Sequence, residues 1–187
     1  RAIRWGTDRI GQSGILCYVS NASFIAKNSM DGLRKCLTND FSAIYCFNLR
    51  GDQRTSGEVS RMEGGKIFGS GSRTPIAITL LVRNSKNTGP CNLYYFDIGD
   101  YKTRDEKLNA ILDAKSVRGV SWLNVKPNKD GDWINQRSET FQEFISIGDK
   151  KSDGSTPKIF SLYSLGVATN RDAWACNFSA NVLTTQM

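Results

Sequence analysis

The sequence predicts an α/β fold, in which buried strands alternate with amphipathic helices along the first part of the chain. Two apolar runs of strand length, Ile15–Asn21 and Ala43–Leu49, are typical of buried strands. Between them, the apolar residues of Ser29–Asn39 recur at helical spacing, and Asn28 or Ser29 is available as the N-cap. A strand, a helix of about ten residues and a second strand form a βαβ-type unit.

The elements around this unit follow the same alternation. Arg1–Arg9 has the pattern of an amphipathic helix that ends before the first strand. Ile76–Val82 and Leu93–Ile98 predict a third and a fourth strand, and the turn-rich connector between them predicts that the two pair as a hairpin. The capping-box residues Thr103 and Glu106 then begin a helix of about three turns.

The pattern changes beyond this helix, and we expect a domain boundary there. Residues 1–115 are predicted to form one domain, residues 116–150 a linker, and residues 151–187 the start of a second domain. No apolar run approaches the roughly 18 residues of a membrane span. The chain begins with Arg1 in what the pattern indicates is the middle of a helix, so we expect a piece of a larger protein.

Composition restricts the chemistry that this chain can perform. The formal net charge of +7 favours an anionic partner. The absence of histidine excludes the commonest general base, the Ser/His and Cys/His nucleophile pairs and most zinc sites, so no metal is expected. The five cysteines are scattered, without a CxxC pair, and we interpret them as reduced thiols of a cytoplasmic protein.

The segment Arg50–Arg73, which we call the glycine loop, is the least regular part of the sequence. It has six glycines and five basic residues against three acidic ones, with no apolar periodicity. The G-x-x-x-x-G-K-[ST] phosphate loop fails here, because Ser60 and Ile67 occupy two of its essential positions. The dinucleotide motif G-x-G-x-x-G fails as well, since Gly69–Thr74 lacks the last glycine and precedes a strand.

Cations, a flexible backbone and a single aromatic ring are a combination typical of nucleic-acid binding. The loop is therefore either a disordered, solvated insertion or a segment that becomes ordered on nucleic acid. In the second case its basic residues contact phosphates: Arg50, Arg54, Arg61, Lys66 and Arg73. Phe68 either packs on the core or stacks on a base.

Three further sets of polar residues have both a structural and a functional interpretation. Asn21 ends the first predicted strand and Ser23 follows it, and the two either line a site or form an ordinary turn. Asp97 and Asp100 are either paired carboxylates or a turn that leads into the next helix. The last set either contacts DNA or forms a polar turn, and it consists of Thr169, Asn170 and Arg171.

Four segments taken in order resemble a known pattern: GILCYVSNASFI, FSAIYCFNLRG, GGKIFGSGSRTPIAITLLVRN and LYYFDIGD. They are similar to the second half of the catalytic domain of DNA adenine-N6 methyltransferases. The similarity is greatest to the methyltransferase part of the single-polypeptide, helicase-linked Type ISP restriction-modification enzymes. Two later segments, GDWINQRSETFQEFI and YSLGVATNRDAWACNFS, resemble the linker and the first part of the target-recognition domain in that family.

The resemblance implies a fold and an activity. The fold is the C-terminal half of a Rossmann-like methyltransferase sheet with an antiparallel edge hairpin, followed by the start of a target-recognition domain. Ile15–Asn21 would be the fifth strand, and Ala43–Leu49 and Ile76–Val82 the last pair. The activity is transfer of a methyl group from S-adenosylmethionine to adenine N6 after the base is flipped out of double-stranded DNA. Phe68 matches the position of an aromatic residue that stacks on that base.

The chain departs from the family pattern in one respect. It contains neither the [ND]PP[YF] motif nor a cofactor motif of the F-x-G-x-G kind. We therefore expect S-adenosylmethionine to be bound mainly by residues outside this chain, and this fragment to be inactive alone. The expected partners are double-stranded DNA and the remainder of a parent polypeptide with helicase and nuclease parts.

Two alternatives remain open. Instead of part of a methyltransferase, the chain could be a non-catalytic nucleic-acid-binding module coupled to a helicase or nuclease. The other alternative is a structural α/β domain with a disordered loop.

Overall fold

The computed structural model describes residues 2–69, 71–138, 140, 143–148, 157–162, 164, 166 and 169–186. The chain divides into two compact units, Arg1–Arg137 and Ser138–Met187.

The first unit combines a sheet with short helices. Its elements, in chain order, are α1 (Ala2–Thr7), β1 (Ser13–Asn21), α2 (Ser23–Ala26), α3 (Asp31–Asp40), β2 (Ala43–Arg50), α4 (Gly57–Glu63), β3 (Ile76–Asn84), β4 (Asn92–Asp97), α5 (Arg104–Ala114) and β5 (Leu123–Val125). Two 3-10 turns, Asn28–Met30 and Val117–Gly119, precede α3 and β5. The described part of the second unit contains α6 (Asp172–Ala175), α7 (Ala180–Gln186) and an isolated bridge between Ser146 and Lys158.

The five strands form one mixed, mostly antiparallel sheet in the order β1-β3-β2-β4-β5. β3 is antiparallel to both β1 and β2, β2 is parallel to β4, and β4 is antiparallel to β5. β1 and β2 therefore run in the same direction, as a βαβ unit requires, but β3 lies between them.

The predicted hairpin of the third and fourth strands is wrong. β3 pairs with β1 and β2, whereas β4 lies on the other side of β2. The reason is that β2 has four buried residues and no exposed one, so it lies inside the sheet with a neighbour on each side. The antiparallel pair β2 and β3 that flanks the glycine loop does form, but it is not an edge hairpin, because β1 lies beyond β3 and β4 and β5 lie beyond β2.

The sheet separates two apolar cores. One face packs against α2 and α3 through a cluster that includes Ile44, Leu81 and Leu37. The other face packs against α5 through a second cluster, whose buried members are Phe47, Leu49, Ile67, Ile76 and Ile98. The second cluster takes Ile67 from the glycine loop, so that loop is partly anchored in the core.

The helix ends agree with the sequence in one case and differ in another. Thr103 caps α5 with a complete capping box, in which its side chain accepts a hydrogen bond from Glu106 N and the Glu106 carboxylate accepts one from Thr103 N. The predicted caps of α3, Asn28 and Ser29, instead form a 3-10 turn. The N-cap position is Met30, without a side-chain hydrogen bond.

Residues 116–137, which fall in the predicted linker, are packed as part of the first unit. The chain divides after Arg137. Trp133 is only 2% exposed and meets Phe24 edge-to-face, with ring centroids 6.0 Å apart. A side chain of this size in the core holds the segment against α2.

Candidate functional site

The glycine loop contains regular structure that its sequence pattern does not predict. Residues 57–63 form α4. α4 has no buried residue, so apolar periodicity gives no sign of it. It is held by polar contacts instead: Tyr101 N donates to the Met62 carbonyl at 3.0 Å, and the Tyr101 hydroxyl donates to Glu58 at 2.7 Å.

Hydrogen bonds close the two ends of the loop on each other. Gln53 N donates to the Arg73 carbonyl at 2.9 Å, and the Arg73 guanidinium returns a bond to the Gln53 carbonyl at 2.8 Å. The Glu63 carboxylate accepts from the backbone nitrogens of Gly51 and Asp52 at 2.8 and 2.9 Å. A loop closed in this way retains little of the freedom of a solvated insertion.

Two glycines allow the loop to lie directly on the start of α5. Gly64 has φ 68°, and a Cβ atom there would overlap the Lys102 carbonyl. The Gly65 nitrogen donates to the same carbonyl at 2.8 Å. The need for glycine at 64 is therefore both conformational and steric.

The loop presents Phe68 at the surface. The ring is 49% exposed, while the preceding Ile67 is 7% exposed and fills the second core. The Arg104 Nε donates to the Ile67 carbonyl at 2.9 Å. Ile67 thus takes the core position that Phe68 could have filled, and one ring remains half accessible beside it.

Arg50 is paired with two carboxylates. Its Nε lies 2.6 Å from Asp97 Oδ1, and its Nη1 pairs with Asp100. The residue has φ 55° and follows an irregularity in the β2–β3 register after Asn48. Burial opposes the charge, but the two carboxylates outweigh it and raise the pKa of Arg50. Asp97 and Asp100 thus act together as a guanidinium-binding pair.

Arg54 brings together the loop and the end of β1. Its guanidinium forms a two-point contact with Asp52, at 2.8 and 2.7 Å, which lowers the pKa of that carboxyl. The Arg54 Nη2 also donates to Ser23 Oγ at 3.3 Å. Asn21 accepts from Ser23 N at 2.8 Å, so the Asn21–Ser23 segment is a turn whose hydroxyl faces the loop.

The remaining loop cations are more available to a ligand. Arg61 is highly exposed and meets Glu58 only at 3.4 Å. Lys66 is exposed, and no ion pair involves it within the described ranges. Arg73 is exposed and contacts the Gln53 carbonyl rather than a carboxylate.

A pocket of about 180 Å³ opens where β1 and β2 end. Its polar lining includes Ser23, Lys27, Asn48, Arg50, Asp52 and Glu63. This volume lies below the roughly 300 Å³ at which pockets for small ligands begin.

The polar set of the second unit forms a turn before a short helix. Thr169 Oγ1 donates to Asp172 and accepts from the Arg171 nitrogen at 3.1 Å. Asn170 has φ 55°, and both Asn170 and Arg171 are exposed.

Two side chains that contact the backbone of the glycine loop were not predicted from the sequence. Lys107 is 0% exposed, and its ammonium donates to the carbonyls of Glu63 and Gly65, each at 2.8 Å. Arg104 contacts the loop one turn earlier. The signal for Lys107 was present, since it shares a helix face with Ile111 at i+4, but a lysine at such a position is usually solvated.

The described part of the chain shows neither a candidate metal-binding cluster nor a candidate membrane span. It holds no cluster of three potential metal ligands. None of its helices has the length and hydropathy of a membrane-spanning segment.

Similarity to known proteins is found among solved structures. No protein-family model and no curated protein matches the chain. Among solved structures, the chain is similar to a nuclease-deletion mutant of the Type ISP restriction-modification enzyme LlaGI in complex with a DNA substrate mimic, with 46% identity and a TM-score of 0.88. It is also similar to the ATP-dependent Type ISP restriction-modification enzyme LlaBIII bound to DNA, with 38% identity and a TM-score of 0.90. The DrdV–DNA complex matches with 34% identity and a TM-score of 0.86.

These matches cover nearly all of this chain but a small share of each neighbour. They extend over 98 to 99% of this chain and over 14%, 12% and 19% of the LlaGI, LlaBIII and DrdV chains respectively. The chain therefore resembles one part of Type ISP restriction-modification enzymes.

Proposed function

We propose that this chain is part of a restriction-modification polypeptide that methylates adenine N6 in DNA, and that Phe68 stacks on the flipped target base. Residues 1–115 would supply the second half of the catalytic domain, and residues 151–187 the start of target recognition. S-adenosylmethionine would be bound mainly by residues outside this chain, because the chain contains neither the [ND]PP[YF] motif nor a cofactor motif of the F-x-G-x-G kind. The expected setting is the cytoplasm.

The observation that carries this proposal is the placement of Phe68. Its ring is half exposed, whereas its backbone neighbour Ile67 is fixed in the core. An aromatic ring that is accessible on one side and rigidly mounted is suited to stacking on a base. Flipping and holding a base requires such a surface, because the base loses its own stacking partners in the duplex.

The surroundings of Phe68 favour DNA as the partner. Arg61, Lys66 and Arg73 are exposed on the same loop, and we propose that they contact phosphates. In the absence of DNA, Arg50 and Arg54 are engaged by Asp97, Asp100 and Asp52, so a phosphate would have to compete with these carboxylates. Three structural neighbours were solved with DNA, which supports the same assignment.

A methylation assay on the full-length polypeptide that carries this sequence tests the proposal. We expect Phe68→Ala to lower kcat about 10- to 100-fold, the loss expected for one stacked base. Phe68→Trp, which keeps a stacking surface, should retain most of the activity. Val59→Ala is the matched control, because Val59 is also an exposed apolar residue of the same loop.

The outcomes of this assay distinguish the stacking role of Phe68 from the methyltransferase assignment. Loss in Phe68→Ala, retention in Phe68→Trp and no change in Val59→Ala support the stacking role. Wild-type turnover by Phe68→Ala removes that role. Absence of methylation in the wild-type polypeptide, under conditions where it binds DNA, removes the methyltransferase assignment.

A second candidate is a non-catalytic nucleic-acid-binding module coupled to a helicase or nuclease. It is favoured by the exposed loop cations, which need no chemistry to bind DNA. The two candidates predict different effects for Phe68→Ala. The module loses DNA affinity in proportion to the lost stacking, whereas the methyltransferase loses turnover at saturating DNA.

A further inference from the structure

We propose that Lys107 and Arg104 are positioning residues for Phe68: together they hold the backbone of the glycine loop against α5 and thereby fix where the ring stands. This inference rests on the proposed stacking function. It assigns a role to two side chains that contact neither base nor cofactor.

The first observation is that side chains of α5 donate hydrogen bonds to three backbone carbonyls of the glycine loop. The Lys107 ammonium donates to the carbonyls of Glu63 and Gly65, and Arg104 Nε donates to that of Ile67. The first acceptor, Glu63, is the last residue of α4, and the other two are alternate residues of the segment that follows this helix. Two basic side chains one turn apart thus hold the backbone up to the residue before Phe68.

The second observation is the burial of Lys107. Its side chain is 0% exposed, and burial lowers the pKa of its ammonium, an effect that the nearby Glu63 partly opposes. The Glu63 carboxylate itself accepts from Gly51 and Asp52, while Lys107 contacts the Glu63 carbonyl. A buried cation satisfied by neutral carbonyls is costly to desolvate, and removing it leaves those carbonyls without a partner.

The third observation is that the close contacts between the loop and residues 102–104 end just before Phe68. Gly64 and Gly65, before it, lie in close contact with residues 102–104. Gly69 and Gly71, after it, have no atom within 4 Å of a hypothetical Cβ. The contacts with α5 therefore immediately precede the ring, whereas after it the loop is tied at Arg73, which exchanges hydrogen bonds with Gln53. The position of the ring depends most directly on the contacts made before it.

The physical consequence is specific. Loss of the Lys107 or Arg104 contact frees the backbone that carries Phe68, and a displacement of the ring by about 1 Å is enough to lower a rate about 100-fold. The effect should act through Phe68. In a variant that already lacks the ring, freeing the loop has little left to impair, so the effects should be strongly non-additive.

The test is a double-mutant cycle in the full-length polypeptide, with methyl transfer to DNA as the readout. The variants are Lys107→Met, Arg104→Gln and each of them combined with Phe68→Ala. Lys115→Met is the matched control, because Lys115 is an exposed lysine at the other end of α5. Arg104 is about half exposed, so Arg104→Gln remains informative if Lys107→Met does not fold.

Hydrogen–deuterium exchange of residues 57–68 provides a readout that does not depend on activity. We expect Lys107→Met and Arg104→Gln to exchange faster in this segment, with unchanged exchange in β2 and β3. We expect each to lower kcat about 10- to 100-fold at unchanged DNA affinity. Each should lower the rate of Phe68→Ala less than threefold, which corresponds to under about 0.7 kcal/mol.

Failure of this inference is distinguishable from failure of the proposed function. If Phe68→Ala is slow, but its effect multiplies with those of Lys107→Met and Arg104→Gln, the positioning role is overturned and stacking stands. Wild-type exchange at 57–68 in both variants also overturns positioning. If Phe68→Ala itself turns over at the wild-type rate, stacking is overturned, and the positioning role is overturned with it.

Discussion

The guanidinium of Arg34 lies 2.8 Å from the carboxylate of Asp132, and each side chain is only 1% exposed. Arg34 also donates to the carbonyls of Phe24, Lys27 and Gly131, at 2.7 to 2.9 Å. The Arg34 guanidinium thus joins two segments, α2 with the residue after it and the segment that leads to Arg137. This arrangement ties the end of the first unit to the strand end where Ser23 meets the glycine loop.

We expect Arg34→Met to lower the free energy of unfolding by more than about 2 kcal/mol, because the buried carbonyls that Arg34 holds lose their donor. The Asp132 carboxylate keeps a second partner, since Arg137 Nε lies 2.9 Å from it. Denaturant unfolding of the chain measures this. Arg4→Met is the control, since Arg4 pairs with Asp8 at an exposed position and should change stability by less than about 1 kcal/mol. Equal effects of the two substitutions would show that burial of the Arg34 pair contributes nothing.

The buried thiol of Cys46 predicts a loss of stability at alkaline pH. Cys46 is 0% exposed, and burial raises its pKa to about 12. The folded state therefore keeps its proton where the unfolded state releases it. The stabilisation is complete below the unfolded thiol pKa of about 9 and is lost as pH rises from there towards about 12.

Unfolding measured between pH 8 and about 10.5 tests this sign, since one retained proton gives a slope of up to about 1.4 kcal/mol per pH unit. Cys46→Ala should flatten the decline, whatever its effect at neutral pH. Cys17→Ala, at an exposed thiol, should leave it unchanged. Burial also raises the pKa of Tyr95, so part of the decline should persist in Cys46→Ala. A slope identical to that of the wild type would contradict the role given to Cys46.

Gly64 and Gly69 should respond differently to alanine. At Gly64, the positive φ and the overlap with the Lys102 carbonyl both oppose a side chain, and we expect Gly64→Ala to lower the free energy of unfolding by more than about 1 kcal/mol. At Gly69 the space is open, so Gly69→Ala should be close to neutral. Thermal unfolding of both variants measures the difference. A neutral Gly64→Ala would show that the loop does not rest on α5.

The loop cations should differ in their contribution to salt-dependent DNA binding. We expect Lys66→Ala to reduce the log–log slope of affinity against salt by about 0.9, the effect of one phosphate contact. Arg54→Ala should reduce it less, because Arg54 is already paired with Asp52. Binding of the full-length polypeptide to DNA at several salt concentrations tests this order. A full-unit change in Arg54→Ala alone would mean that Arg54 exchanges Asp52 for a phosphate.

The sequence predicted the elements better than their arrangement. The runs of β1, β2, β3 and β4 and the Thr103 cap were confirmed, because local apolar pattern and capping chemistry determine them. The insertion of β3 between β1 and β2 was missed, since strand order depends on contacts distant in sequence.

In the candidate site as well, the sequence predicted individual residues but not the contacts between distant segments. The sequence singled out Phe68, the one ring in a glycine-rich loop, and Ser23 near the end of β1. It did not reveal that Arg54 joins Ser23 to the loop, or that a buried lysine supports the backbone before Phe68. Both are side-chain contacts between segments far apart in the chain. Apolar periodicity carries no information about them.

The most direct test of the central claim is the fluorescence of 2-aminopurine placed at the target adenine of DNA bound to the full-length polypeptide. A flipped base stacked on Phe68 is partly quenched by the ring. We expect Phe68→Ala to raise the fluorescence of the bound complex at saturating DNA, and Val59→Ala to leave it unchanged. Identical fluorescence in the wild type and in Phe68→Ala would contradict the claim that Phe68 holds the flipped base.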